Sequence, residues 1–208
     1  MACDRDKCIM MLDAINDFAS EYTGVCRSLL EALQSFYAKE QPDDAAAGMY
    51  YKVGKTIGEY GERTTEMTRW AHDRFLDFAN ASASPRIPIR SEGPEVIRAE
   101  KTEQPEETGS HRFSLEDAAV WAACGQVFYP AAKQAEHEAN RLYACYSSLK
   151  NDIGGDAPAV TQLEDVLKNL CSLQEIFTRE MRNATVFFKS HADMISAFGN
   201  RAQDQDGP

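Results

Sequence analysis

Histidines beside carboxylates are the residues of this chain most suited to chemistry, because such pairs bind metal ions or move protons. Glu136, His137 and Glu138 are adjacent, but neighbours one apart on a helix point in different directions. A di-iron helical bundle needs a glutamate three residues before a histidine. Three residues before His72, His137 and His191 the chain has Arg69, Gln134 and Phe188, and none of these is a glutamate. The spacing therefore predicts no metal site and no cofactor.

Motifs for phosphate binding or nucleophilic catalysis are equally lacking. The chain has no Gly-rich phosphate loop, no GxSxG sequence and no HExxH sequence. Its six cysteines form no CxxC pair, and four lie on or beside predicted core positions, so we expect reduced thiols. We therefore expect a protein that is not an enzyme.

Apolar residues recur at alternating steps of four and three over four long segments, a rhythm typical of helices, since strands repeat every second residue. The first stripe is complete: Cys8, Leu12, Ile15, Ala19, Tyr22, Cys26, Leu29, Leu33 and Phe36. The other stripes run over 50–78, 121–149 and 160–198. A mean period of about 3.5 residues imposes a left-handed supercoil. This pattern predicts an all-α, coiled-coil-like fold, an elongated antiparallel four-helix bundle.

Turn signals divide the chain into two helical hairpins. Pro and Asp over 41–44 and Gly and Pro over 154–158 indicate short connections. We expect helices over 4–40 and 44–80 in the first hairpin (1–80), and over 114–151 and 158–199 in the second (114–200). The two hairpins should pack as one domain, followed by a disordered tail over 201–208.

The segment 81–113 is rich in Pro, Glu and Ser, which predicts a long flexible loop between the second and third helices. Within it, extended backbone and alternating basic and aliphatic side chains are typical of a peptide-docking motif. The motif residues are Arg86, Ile87, Pro88, Ile89 and Arg90. The alternative is a linker without a binding role.

Glycines interrupt the first half of the second helix at Gly54, Gly58 and Gly61. Each costs a helix interior about 1 kcal/mol relative to alanine, so something should compensate. Close approach of a neighbouring element is the interpretation we favour. The alternative is a softened segment that leaves the bundle and lies on a membrane.

Polar residues also interrupt the core stripes, and we expect them to form two layers. In a simple up-and-down bundle, Glu138 aligns with Gln174 and Arg27, while His191 aligns with Arg74 near one end. Such layers fix the alignment of helices more often than they bind ligands.

Charge restricts the partners of the chain. The net charge is −11 and the isoelectric point about 4.8, which disfavours nucleic acid and anionic membranes. Acidic residues concentrate in the first helical hairpin, as a solvated face or as a docking surface for a basic protein. We therefore expect an interaction or scaffold module that binds a protein partner or a second copy of itself.

The N-terminal residues bear on where the protein is located, and a second hypothesis competes with the interaction module. The N-terminal residues are charged and lead into a helix, so we expect no secretory signal and a cytoplasmic protein. The competing hypothesis is a membrane-remodelling or pore-forming protein whose bundle rearranges or dimerises on a bilayer.

Overall fold

The computed structural model describes residues 3–39, 44–99 and 115–205, with side chains over 3–38, 47–99 and 116–198. It contains α1 (Arg5–Lys39), α2 (Asp44–Ser82), α3 (Leu115–Leu149) and α4 (Pro158–Gln205). The predicted all-α class is confirmed, and the helices begin and end close to the predicted positions except at the end of α4.

Two short features were not predicted. β1 (Cys3–Asp4) and β2 (Ala83–Ser84) form a parallel pair of two residues each, which joins the start of α1 to the end of α2. Helix α4 continues to Gln205, beyond the predicted start of a disordered tail at 201. No strong helix breaker occurs in 201–205, because the next glycine and proline are at 207 and 208.

The helices pack in four pairs: α3 with α4, α1 with α3, α1 with α2, and α2 with α4. All nine predicted stripe residues of α1 are buried. Three aromatic rings join α1, α3 and α4, since the Phe36 ring centroid lies 5.0 Å from that of Trp121 and 5.1 Å from that of Phe188. The core is therefore shared among the helices.

Helix α3 keeps the predicted alternation but shifts its phase after Phe128. The buried residues are Ala132, Ala139 and Tyr146, where the sequence predicted Ala131, Glu138 and Cys145. Both series have the same mean period, so the repeat alone does not decide which position faces the core. Glu138 consequently lies at the edge of the core.

Helices α3 and α4 approach each other closely at Gly125. A Cβ atom at this position would lie 2.8 Å from the Cβ of Phe188, a distance that real Cβ atoms essentially never show. Glycine is therefore required for this packing.

At the other end of α3, one carboxylate joins the two helices. Glu164 accepts a hydrogen bond of 3.0 Å from the Tyr146 hydroxyl and pairs with Lys150 at 2.6 Å and Lys168 at 2.7 Å. Hydrogen bonds from Lys150, Lys168 and Tyr146 lower the pKa of Glu164 from 4.5 to about 2.

Replacing Gly125 with alanine should destabilise the protein by about 1–3 kcal/mol, because the new methyl group overpacks the α3–α4 contact. Gly24→Ala is the matched control, since nothing lies within 4 Å of a Cβ there. That control should stabilise α1 by about 0.5–1 kcal/mol. Urea unfolding measures both changes, and equal effects of the two substitutions would contradict the close packing.

Glu164→Gln should lower stability at neutral pH and flatten its acid dependence. Because the folded-state pKa of Glu164 is depressed, its stabilisation is present above pH 4.5 and is lost as the pH falls towards 2. The difference in unfolding free energy between wild type and variant should therefore shrink over that range. Glu31→Gln removes an exposed charge on α1 and is the control. A constant difference would argue against this linkage.

Candidate functional site

Residues 85–99 form an extended segment, the strap, that lies against α1 and α2. The predicted flexible loop over 81–113 is therefore corrected for its first part. Residues 100–113 lie outside the described residues. The prediction failed because composition reports what a segment can bury by itself. It does not report the partners that two helices supply.

Asn80 binds the strap through both atoms of its amide. Its Oδ1 accepts the main-chain N–H of Ile89 at 2.7 Å, and its Nδ2 donates to the Ile89 carbonyl at 3.2 Å. Both peptide groups of one strap residue are thus satisfied by a single side chain of α2.

Further side chains bind the strap main chain along its length. They are Arg5 (Ile87 O, 3.1 Å), Asn16 (Glu92 O, 3.1 Å), Arg69 (Gly93 O, 3.3 Å, and Pro94 O, 3.1 Å) and Thr65 (Ile97 N, 3.0 Å). With the Asn80 pair, seven main-chain atoms of the strap bond to helix side chains. Main-chain recognition of this kind does not depend on the identity of the bound side chains.

Side-chain contacts of the strap are fewer. Ile89 is buried, and Ile97 packs on the hydrophobic core. Arg98 pairs with Glu62 at 2.8 Å and Glu66 at 3.1 Å. The groove between α1 and α2 that holds the strap therefore accepts two aliphatic side chains and one cation.

The predicted docking motif is part of the strap. Of its five residues only Ile89 is buried, while Arg86, Ile87, Pro88 and Arg90 are exposed. The motif lies against the protein's own α1 and α2 through the Arg5 and Asn80 contacts.

Prolines and glycines shape the strap locally. Proline and the residue before it favour extended backbone. The strap has prolines at three places along its length, Pro85, Pro88 and Pro94. At Gly93, a Cβ atom would lie 2.7 Å from side-chain atoms of Arg69 and Asp73. Glycine therefore allows the main chain to approach the guanidinium that binds it.

Two glycines of the predicted α2 cluster, Gly58 and Gly61, face the same segment. A Cβ on Gly58 would lie 3.2 Å from the Cβ of Ala99, and one on Gly61 would lie 3.5 Å from the Cys26 sulfur and 3.8 Å from Ile97. Gly54 is also buried. The close neighbours of Gly58 and Gly61 are thus mainly strap residues.

Beneath the strap, α2 carries buried polar residues that the sequence reading missed. Thr65, Thr68 and His72 are buried, followed on the same face by Phe75 and Ala79. These residues recur at steps of three and four, which was the available signal. The predicted stripe of α2 ran through Thr64 and Ala71, one position before Thr65 and His72, so this second stripe was not predicted.

His72 connects the strap to α2. Its Nε2 lies 2.8 Å from the Ser91 hydroxyl oxygen, and its Nδ1 lies 3.0 Å from Asp73 Oδ1. Partial burial raises the pKa of Asp73, but hydrogen bonds from His72 and Arg69 outweigh it and hold that pKa below its ordinary value. The carboxylate is therefore charged beside the imidazole.

The first predicted polar layer is not assembled. Gln174 donates to the Thr64 hydroxyl at 2.9 Å inside the core. Glu138 pairs with Arg141 at 2.6 Å and lies beside Glu21, whose pKa is raised by burial and by the Glu138 charge. Arg27 lines a cleft between α1 and the strap. The three predicted residues thus lie in different surroundings.

The second predicted layer is also separated. His191 stacks on Trp121 with ring centroids 4.7 Å apart. Arg74 is exposed and lies over the ring of Trp70, 5.9 Å from its centroid. The alignment assumed that the loop between α2 and α3 returns at the end where α2 stops. Instead the strap follows α2 back from Asn80 to Gly58, and Trp121, near the start of α3, packs on Phe36 near the end of α1.

No protein-family model, curated protein or solved structure matches this chain. Within the described ranges, no helix combines the length and apolar character needed to cross a membrane. Among those same residues, no group of three or more His, Cys, Asp or Glu side chains could hold a metal ion. The hydrogen bonds between the strap and the side chains of α1 and α2 make the strap and its groove the candidate site.

Asn80→Ala should loosen the strap, because two main-chain groups of Ile89 lose their partner at a cost of about 1 kcal/mol each. Amide hydrogen exchange at Ile89 should accelerate by about tenfold or more. Asn140→Ala, which removes an exposed bond within α3, is the control and should leave that exchange unchanged. Unaltered exchange in Asn80→Ala would contradict the assigned role of Asn80.

Proposed function

We propose that the four helices form an elongated antiparallel bundle that serves as a protein interaction or scaffold module. In this proposal the groove between α1 and α2 binds extended peptides, and the strap occupies it as an internal ligand. The strap would thus compete with a partner for the same main-chain donors and acceptors.

Contacts at both ends support the antiparallel arrangement. Phe36, near the end of α1, packs on Trp121, near the beginning of α3. At the other end, the main-chain N–H of Asp4 donates to the carbonyl of Asp152, which follows α3. Neighbouring helices that run in opposite directions account for both contacts.

The observation that carries the function is the binding of the strap main chain by helix side chains. Asn80 forms hydrogen bonds with both the N–H and the carbonyl of Ile89, and Arg69 donates to the successive carbonyls of Gly93 and Pro94. An extended peptide has the same unpaired groups at the same spacing, so a segment from another protein could replace the strap.

The groove also indicates the chemistry of its partner. Glu62 and Glu66 receive Arg98, while Ile89 and Ile97 provide the aliphatic contacts. A partner segment should therefore combine aliphatic residues with basic ones, in agreement with the basic partner expected from the overall charge. The six free cysteines favour a cytoplasmic setting for this interaction.

Displacing the strap should open the groove to a peptide in trans. Ile89→Asp with Ile97→Asp in the full-length chain removes both aliphatic anchors of the strap. A fluorescent peptide with the sequence of residues 85–99 should then bind at micromolar concentrations, measured by anisotropy. Wild-type protein should bind it far more weakly, because its own strap occupies the groove.

Adding Asn80→Ala to the variant that carries Ile89→Asp and Ile97→Asp should weaken peptide binding by about 30-fold. Two hydrogen bonds of about 1 kcal/mol each are then lost. A scrambled peptide should bind more weakly, because it keeps the main-chain groups but misplaces the residues that correspond to Ile89, Ile97 and Arg98. Circular dichroism and size-exclusion chromatography establish that the variant is folded and report any strap exchange between copies. A folded, monomeric variant that fails to bind the peptide would refute the proposal.

A further inference from the structure

Ser91, His72 and Asp73 lie in the order of a nucleophile, a base and a group that orients the base. The serine oxygen is 2.8 Å from His72 Nε2, and His72 Nδ1 is 3.0 Å from Asp73 Oδ1. Both distances lie within the range expected for an activated serine. No linear motif connects these residues, since Ser91 is on the strap and the other two are on α2.

The surroundings of Asp73 determine which imidazole nitrogen carries the proton. Arg69 donates from Nε to Asp73 Oδ2 at 3.0 Å, so the carboxylate is held in place and charged. A charged carboxylate accepts the Nδ1–H of His72. In the neutral imidazole, Nε2 then has a free lone pair directed at the Ser91 hydroxyl, which donates to it.

The base, His72, is shielded from solvent, while the nucleophile, Ser91, remains partly exposed. His72 has no exposed surface, whereas Ser91 is only partly buried. A cleft of about 400 Å³ is lined by Glu92, Pro94 and Asn16; Ser91 does not itself line it but adjoins Glu92 and contacts Asn16. A cleft of this size accommodates a small molecule.

Asn16 supplies a donor at the same place. Its Nδ2 lies 3.5 Å from the Ser91 oxygen and 3.1 Å from the Glu92 carbonyl oxygen. An amide N–H beside a nucleophilic serine can stabilise the negative oxygen that forms when the serine attacks a carbonyl. Three separate elements, α1, α2 and the strap, therefore converge on one hydroxyl.

We propose that Ser91 is an activated nucleophile that takes an acyl group from small activated esters bound in the cleft. Its oxygen attacks the ester carbonyl carbon, its proton passes to His72 Nε2, and Asn16 donates to the oxyanion. The ester C–O bond then breaks, and His72 returns the proton to the departing alcohol. Water hydrolyses the acyl-serine by the same route, releasing the acid and restoring Ser91. This activity goes beyond the peptide-binding function.

A small alkyl fluorophosphonate tests the nucleophile directly, because attack by serine on phosphorus expels fluoride and leaves a stable adduct. Intact mass spectrometry of the full-length protein should show one adduct per chain, and peptide mapping should place it on Ser91. Ser91→Ala should abolish it. Ser84→Ala removes an exposed serine just before the strap and should not change the labelling rate.

Two further variants distinguish an activated serine from a structural hydrogen bond. Asp73→Asn and Asn16→Ala should each slow labelling by about 100-fold, since the first alters the orientation of the base and the second removes the oxyanion donor. Hydrogen exchange at Ile89 shows whether the strap is still seated in each variant. Absence of an adduct on Ser91 would overturn the proposal. So would an unchanged labelling rate in Asp73→Asn with the strap seated, which would leave Ser91 as a structural contact to His72.

Discussion

An extended segment lying on helices has peptide groups that the helices cannot pair through their own main chains. Helical N–H and C=O groups are already bonded within each helix, so only side chains can serve the segment. In this protein Asn16, Asn80, Arg69 and Thr65 perform that role. Much of the polar character inside the α1–α2 groove follows from this requirement.

The same constraint explains why α2 differs from the other helices. Its glycines leave room for the strap, and its buried threonines and histidine lie beneath the strap. A segment held by hydrogen bonds, each worth about 1 kcal/mol net, is bound less firmly than an apolar helix face. The strap is therefore the part of the described structure best suited to exchange with a partner.

Ser91 belongs both to the strap and to the proposed reactive site. Its bond to His72 helps to seat the strap, and in the proposed reaction the same contact takes up the proton of the hydroxyl. A change that modifies Ser91 would also remove a contact of the strap with α2. The peptide groove and the reactive serine are thus linked by one hydrogen bond, although each can be tested without the other.

The sequence by itself determined the helices and most of their buried faces. Burial of apolar area repeats with the helical period, so the stripe of α1 could be read residue by residue. It also drew attention to Ile89 and to the glycines of α2, although not to their contacts. These features depend on local spacing, which a sequence displays directly.

Only the tertiary structure decided the phase of α3, the path of the strap and the meeting of Ser91 with His72. The phase was open because Ala131 and Ala132 suit the same repeat, and the observed phase turns Glu138 away from the core where Gln174 bonds to Thr64. The second polar layer failed because a simple up-and-down bundle places the start of α3 beside the end of α2. The candidate site joins residues 75 positions apart, as in the contact of Asn16 with Ser91. Such contacts arise from how the helices and strap pack in space, a property that the spacing of residues along the chain does not contain.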